Sequence, residues 1–150
     1  MDTIFKKMNF KNSPLVTVIN SPKSFDEHIV AMEGITTFLY DFSDMETTDF
    51  ILAFCTKQEE VDRVAIEAAK KIIGDGLLWI VYPKGTSKKY KCDFSRDTGW
   101  TILGELGFEP VRIIAIDEDW SALRFRRVEY IKKMIRSFAM TEAGKEKIEK

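Results

Sequence analysis

Two apolar runs of strand length, residues 50–55 and 77–82, flank a segment whose apolar residues recur at helical spacing. Val61, Val64 and Ala68 fall on one side of that segment, which predicts an amphipathic helix. An apolar run without alternation is typical of a strand that is covered on both faces of a parallel sheet. The centre of the chain is therefore predicted to be a strand, helix, strand unit with parallel strands.

The ends of the central helix carry recognisable signals. Thr56 and Glu59 match a capping box at its start, and the apolar stripe continues to Ile73 before Gly74 ends it. A second capping box, Ser24 with Glu27, predicts an earlier helix. That helix would join a β-branched strand at residues 15–20 to a strand at residues 35–41.

The C-terminal half of the chain extends the sheet. Ser95 can cap a short helix, and residues 111–117 and 120–126 predict two strands joined by a turn at residues 117–119, an antiparallel hairpin at a sheet edge. A last helix is predicted from Val128. The alternation predicts one domain over residues 1–150: a three-layer α/β sandwich with a mainly parallel, Rossmann-like sheet that ends in an antiparallel hairpin.

Composition narrows the class of protein. The chain has 150 residues, 45% of them apolar and 31% charged, as in an ordinary globular domain. Residues 77–82 form the longest apolar run, far short of the ~20 residues of a membrane span, and the N-terminus lacks the apolar core of a signal peptide. Cys55 and Cys92 show neither disulfide nor metal-site spacing. These features predict a cytoplasmic protein without a bound metal.

Two stretches carry a family resemblance. They are the run Leu-Trp-Ile-Val-Tyr-Pro-Lys ending at Lys84, and the run Asp-Glu-Asp-Trp-Ser-Ala-Leu-Arg-Phe-Arg ending at Arg126. They resemble the bacterial domain-of-unknown-function family numbered three-zero-five-two, with signatures LWxxYPK and DxxWSALRFR. The family-like core covers about residues 14–126, with a helical extension at 128–150. The resemblance implies a trimmed, methyltransferase-like Rossmann fold and assigns no activity.

The turn after the first strand bears on cofactor binding. A nucleotide-type cofactor needs a glycine-rich turn there, so that backbone amides can approach a phosphate or carboxylate. The sequence at residues 20–24 is Asn-Ser-Pro-Lys-Ser, without a glycine, and Pro22 removes one donor. We expect no adenosylmethionine, dinucleotide or other cofactor to bind.

Candidate ligand-binding residues follow the ends of the predicted strands. Open α/β sheets bind ligands at the carboxyl edge, where Asn20, Ser21, Lys84 and Asp117 are expected to gather with Asp41. Lys84 would either hold an anion or pair structurally with Asp117. The hairpin adds Trp120, Arg124 and Arg126 on one face, either as an anion or protein surface or as a packed strand. Lys84, Asp117 and Arg124 are predicted to converge.

Two functional interpretations remain open. The leading one is a non-catalytic module that binds a protein partner or a small anionic ligand at the strand-end edge. The alternative is an enzyme of unknown reaction that acts on a small anionic substrate, with Lys84, Asp117 and Arg124 as electrostatic groups. The bases at residues 84–96 could contact nucleic acid, but a net charge of −1 gives no dominant basic field. The sequence does not define an oligomeric state.

Overall fold

Six strands form one sheet in the order β2-β1-β3-β4-β6-β5 in the computed structural model, which describes residues 1–94 and 99–131. The strands β1 to β4 pair in parallel, and β6 is antiparallel to both β4 and β5. The predicted fold class is confirmed. The strands are β1 Leu15–Ile19, β2 Thr37–Leu39, β3 Thr48–Phe54, β4 Ile72–Pro83, β5 Phe108–Ala115 and β6 Trp120–Arg127.

Helices cover both faces of the sheet. They are α1 Thr3–Lys7, α2 Asp26–Val30, α3 Gln58–Lys71 and α4 Thr101–Glu105, with short 3₁₀ turns at Lys23–Phe25, Phe42–Asp44 and Val128–Tyr130. Phe5 of α1 packs with Phe50 and Trp79 on one face, whereas Val64 of α3 packs with Ile51 on the other. Neighbouring strand residues thus point to opposite apolar layers, as the alternation of a doubly covered sheet requires.

The predicted parallel core is present. Seven of the eight residues expected in it are buried, and Ile114 on the edge strand is partly buried because β5 has only one neighbour. The buried seven are Val16, Val18, Ile51, Ala53, Leu78, Ile80 and Ile116. Trp79 is fully buried, and its Nε1 donates to the Met8 carbonyl oxygen at 3.0 Å.

Several boundaries differ from the sequence prediction. The helix α3 ends at Lys71, and Ile72 already pairs with Thr48 as the first residue of β4. The apolar stripe did not reveal this end, because Ile72 packs into the same core layer from the strand. Gly74, at φ +55°, lies at the register shift that follows.

Other predictions fail at the ends of elements. No side-chain hydrogen bond from Ser24 caps α2, so the predicted capping box is wrong there. The helix α1, capped by the Asp2 carboxylate, was not predicted at all. The hairpin lies at the sheet edge, but its edge strand is β5, and the arginine-bearing β6 lies inside. The predicted cap at Ser95 and the last helix beyond Ile131 fall outside the described residues.

Within residues 1–94 and 99–131, no helix has the length and apolar character that a membrane crossing requires.

Candidate ligand-binding clefts

The direction of the chain changes between β1 and β3, which creates a crevice at the carboxyl edge of the sheet. From β1 the chain passes to β2 on one side, and it then returns to β3 on the other side. Ligands of open α/β sheets bind at such a switch point. Two cavities open along this edge: one at the ends of β1 and β2, and one at the end of β4.

The first cavity, which we call the switch-point crevice, is crossed by a hydrogen bond from β1 to α3. Asn20 follows β1 with φ +58° and donates from Nδ2 to Glu60 Oε2 at 3.3 Å. Asparagine adopts this left-handed conformation more readily than most residues. The backbone therefore turns as it would at a glycine, but a side chain occupies the space that a glycine would leave open.

Among the described residues that line the switch-point crevice, three of the four charged side chains are carboxylates. The cavity measures about 520 Å³ and is lined by Ile19, Asn20, Tyr40, Asp41, Phe42, Glu59, Glu60, Arg63 and Val64. Asp41 Oδ1 accepts from Ser43 N at 2.9 Å and from Ser43 Oγ at 3.0 Å. These bonds, with smaller contributions from Arg63 and Lys71, lower the pKa of the Asp41 carboxyl. An ionised Asp41 beside Glu59 and Glu60 disfavours anions in this crevice.

The N-terminus of α3, which borders the crevice, is closed by the chain's own carboxylates. Glu60 Oε1 accepts from Thr56 N at 2.9 Å and from Lys57 N at 3.1 Å. Asp93 Oδ1 accepts from Gln58 N at 2.7 Å. The N-cap is thus Lys57 and the glutamate of the capping box is Glu60, not the predicted Thr56 and Glu59. Donors that bind phosphate at other helix N-termini are already used here.

The second cavity, which we call the lysine cleft, lies at the end of β4 and measures about 680 Å³. It is lined by Tyr82, Pro83, Lys84, Gly85, Ser87, Tyr90, Lys91, Cys92, Phe94, Ile113 and Ser121. The ammonium groups of Lys84 and Lys91 have no ion-pair partner in the part of the chain that the structure describes. The cleft therefore offers two positive charges that no described residue pairs, beside aromatic walls.

Contacts at both ends fix the segment 84–94 that forms the cleft. Lys84 N donates to the Asp119 carbonyl oxygen at 2.8 Å, and Ser87 Oγ donates to Asp119 Oδ1 at 2.8 Å. At the other end, Asp93 N donates to the Thr56 carbonyl oxygen at 3.1 Å. The segment thus connects the β5–β6 turn to the start of α3.

The two cysteines differ in environment. Cys55 follows β3 and is fully buried; burial, and to a smaller extent the nearby Glu60, raises the pKa of its thiol. Cys92 is partly exposed in the lysine cleft, and its Sγ donates to the Phe94 carbonyl oxygen at 2.9 Å. Cys92 is therefore the thiol that a reagent in the cleft would reach.

The structure brings only some of the predicted site residues together. Asn20 lines the switch-point crevice, Ser21 is the next residue in the same loop, and Lys84 lines the lysine cleft. Asp117 holds its own turn, since its Oδ1 accepts from Asp119 N at 2.8 Å and from Trp120 N at 3.0 Å. The expected ion pair between Lys84 and Asp117 is not formed.

Trp120 is buried beside the cleft segment. Its ring packs on Tyr90 at 4.7 Å and on Phe54 at 5.2 Å between centroids, and its Nε1 has no hydrogen-bond partner among the described residues. The packed-strand interpretation is therefore correct for Trp120, whose indole does not form a surface.

Arg124 and Arg126 lie toward the opposite edge of the sheet. Trp120 pairs with Pro83, whereas Arg124 pairs with Trp79, because β6 runs antiparallel to β4 and away from the carboxyl edge. Arg126 donates to both carboxylate oxygens of Asp75, at 2.8 and 2.5 Å. The predicted convergence of Lys84, Asp117 and Arg124 is wrong.

Sequence reasoning missed part of each cavity. Tyr90 and Lys91 lie in a polar segment, and nothing in the sequence showed that it folds back along the carboxyl edge. Glu60 and Arg63 lie in the predicted central helix, but no role was assigned to them from the sequence. The available signal was their place in the first turns of the helix that follows β3, which faces the switch point.

No protein-family model matches the chain, and no curated protein matches it. Solved structures do share its fold. An adenosylmethionine-dependent methyltransferase from Aquifex aeolicus aligns with a TM-score of 0.56 at 13% identity, over 83% of this chain and 87% of that one. The pyocyanin biosynthetic protein PhzM aligns with a TM-score of 0.55 at 12% identity, over 83% of this chain and 53% of that one. This chain spans only about half of PhzM. The similarity shows a methyltransferase-like Rossmann fold.

The residues at the switch point do not fit adenosylmethionine bound through a glycine-rich turn. Its carboxylate would meet Glu60 and Glu59, and Pro22 offers no N–H group. The Asn20–Glu60 hydrogen bond also spans the entrance that such a turn would leave open. We therefore derive no methyl transfer step for this chain.

Proposed function

We propose that this protein is a non-catalytic α/β module that binds a small anionic ligand in the lysine cleft. The observation that carries the proposal is a pair of ammonium groups, Lys84 and Lys91, that line one cavity at the carboxyl edge and have no ion-pair partner among residues 1–94 and 99–131. Among the described lining residues there is no carboxylate to neutralise them. An anion entering the cleft would gain two charge-assisted contacts.

The walls of the lysine cleft indicate the rest of the ligand. Tyr82 and Phe94 supply aromatic side chains, and Ile113, 41% exposed, adds an apolar one. Pockets of this size are typical for small molecules whose apolar body is buried and whose few polar groups are fixed by charged residues. A carboxylate or phosphate attached to an aromatic or aliphatic body fits these walls.

The residue types that line the lysine cleft also favour binding over catalysis. The described lining residues include no histidine or carboxylate that could serve as a general base. His28, the chain's one histidine, lies elsewhere: its Nδ1 is 2.9 Å from Asp2 Oδ1, and its ring packs on Phe25. That histidine connects α2 to α1.

Recovery of co-purified small molecules tests the proposal. Mass spectrometry of the wild-type protein is expected to reveal an anionic compound that Lys84→Ala/Lys91→Ala loses. The matched control is Lys88→Ala/Lys89→Ala, which removes two exposed lysines of the same segment that do not line the cleft. Equal recovery from all three proteins would overturn the proposal.

A second candidate function rests on Asp41. This carboxylate follows β2, about 20 residues after the turn that ends β1, which is where Rossmann-type proteins place the acid that binds ribose hydroxyls. Tyr40 beside it is 56% exposed and available to stack on a base. The acidic crevice would accept a neutral nucleoside and repel a nucleotide. Such a ligand would be the second reactant of an enzyme that acts on an anionic substrate in the lysine cleft.

Thermal unfolding distinguishes this second candidate. Adenosine is expected to raise the melting temperature of the wild type and of Asp44→Asn, whose side chain lies outside the crevice, but not of Asp41→Asn. Adenosine monophosphate and adenosylmethionine should give no rise. An equal response of Asp41→Asn and Asp44→Asn would exclude Asp41 as a ligand-binding residue.

A further inference from the structure

A third cavity lies at the amino edge of the sheet, away from both clefts. We call it the arginine pocket; it measures about 440 Å³ and is formed by the segment before β1, the turn at the register shift of β4, and Arg124 of β6. Its polar lining includes Asn9, Lys11, Asn12, Asp49, Asp75 and Arg124. The function proposed for the lysine cleft makes no use of this cavity.

One donor of the Arg124 guanidinium group, the buried Nε, lacks a hydrogen-bond partner among the described residues. By contrast, Arg126 on the same strand face is held by both carboxylate oxygens of Asp75. Buried donors of charged groups are nearly always bonded in folded proteins, so the Arg124 donor requires an acceptor.

The charge around Arg124 is not balanced. Arg112 lies directly opposite it on β5, and Arg126 lies two residues along β6. Burial, followed by repulsion from Arg126, lowers the pKa of Arg124; attraction from Asp75 opposes this shift, and Arg112 adds to it. Asp75 already pairs with Arg126, and only Asp49 adds another carboxylate to the lining. An additional negative charge would therefore stabilise the cluster.

Lys11 and the neighbouring amides supply the rest of a possible site. Lys11 is exposed and unpaired among the described residues, and it lines the pocket together with Arg124. Asn9 and Asn12 add amide groups to the lining. A planar guanidinium, an ammonium group and neutral amides on one cavity are a combination that binds phosphate oxygens well.

We propose that the arginine pocket binds a phosphate group, either free or as a small phosphate monoester, through Arg124 and Lys11. The ligand would contact Arg124 where this residue lines the pocket, and its negative charge would offset the repulsion among Arg112, Arg124 and Arg126. The site is separate from the proposed function, because it lies at the opposite edge of the sheet from the lysine cleft.

Thermal unfolding at constant ionic strength tests the proposal. Inorganic phosphate and glycerol 3-phosphate, each exchanged against sodium chloride, are expected to raise the melting temperature saturably, by about 3 °C at ten times Kd. A rise with both ligands indicates a site for phosphate monoesters, and a rise with inorganic phosphate alone indicates a closed site for the free ion. No rise with either ligand would overturn the proposal.

Two-dimensional amide NMR distinguishes the arginine pocket from the lysine cleft. Phosphate is expected to shift the amide signals of residues 9–13 and 74–77 in the wild type and in Lys84→Ala/Lys91→Ala. Arg124→Gln should lose those shifts. Lys11→Ala, an exposed substitution that leaves the core intact, should weaken them at least fivefold, so the test does not depend on how well Arg124→Gln folds. Shifts confined to residues 84–94 would support the lysine cleft and overturn the arginine pocket.

Discussion

At the scale of single residues, burial decides which side chains can react. Cys55 has no exposed surface, and its thiol is held protonated by burial and by Glu60. Cys92 is partly exposed on the lysine cleft. The reactivity of Cys55 thus depends on opening of the core, and the reactivity of Cys92 depends on access to the lysine cleft.

We predict that a thiol reagent modifies one cysteine in the native protein and the second only after denaturation. Ellman's reagent should titrate Cys92 in the folded wild type, and Cys55→Ser should leave that reaction unchanged. Cys92→Ser should show no fast-reacting thiol. A fast thiol that persists in Cys92→Ser would mean that the end of β3 opens readily. A ligand in the lysine cleft should slow the reaction of Cys92.

The Asp41 carboxyl gives a prediction about pH. Its pKa in the folded protein lies below the ordinary value of 3.8, so the fold favours the ionised form. The stabilisation is present above 3.8 and is lost as the pH falls through the lower folded pKa. NMR titration of the carboxyl carbon should show this pKa, and Ser43→Ala should raise it toward 3.8, because one of two Ser43 donors is removed. An unchanged pKa in Ser43→Ala would contradict this cause.

At the scale of elements, the caps and boundaries of helices were harder to predict than their apolar faces. The stripe Val61, Val64 and Ala68 was correctly assigned to the core, since helical spacing alone defines it. The helix cap was not predicted correctly. Two adjacent glutamates, Glu59 and Glu60, follow Thr56 by three and four residues, and the sequence does not show which of them accepts from the free amides at the start of the helix. Only the path of the chain after β3 selects Glu60.

We predict that Glu60→Ala destabilises the protein by about 1 kcal/mol, a typical loss for a helix cap. It removes the acceptor for Thr56 N and Lys57 N, and also the partner of Asn20. Glu59→Ala is the matched control, because the Glu59 side chain makes no hydrogen bond in the described part of the molecule. Urea unfolding should give a Glu59→Ala change within ~0.5 kcal/mol of zero. Equal losses for both variants would contradict the assigned cap.

At the scale of the whole molecule, the sequence predicted the layers and the sheet, because apolar runs and their connecting helix determine them locally. It could not predict which strand-end residues meet. Lys84 and Arg124 were expected together, since Lys84 follows the strand that ends at Tyr82 and Arg124 approaches from the hairpin, but the antiparallel register places Arg124 opposite Trp79, five residues before Lys84. At ~3.3 Å per residue this separation is about 17 Å. Register depends on long-range pairing, which sequence spacing does not determine.

The separation predicts independent energetics for the two cavities. The effects of Lys84→Ala and Arg124→Gln on the free energy of unfolding should add within ~0.5 kcal/mol in the double variant. Asp75→Ala and Arg126→Gln form the comparison pair and should not add, because the two side chains share a bidentate contact. Chemical denaturation of the four single and two double variants measures both cycles. Strong coupling between Lys84 and Arg124 would show that the sheet transmits strain between its edges.

The segment 84–94 has one further consequence. Its Asp93 carboxylate accepts from the first amide of α3, while Lys84 and Lys91 in the same segment face the lysine cleft. A ligand that holds this segment in place therefore also holds the helix cap in place. The coupling is reciprocal: the factor by which the ligand stabilises the first turn of α3 is also the factor by which fraying of that turn lowers the affinity for the ligand. Occupancy of the lysine cleft should therefore slow hydrogen exchange at the backbone amide of Gln58, the first residue of α3.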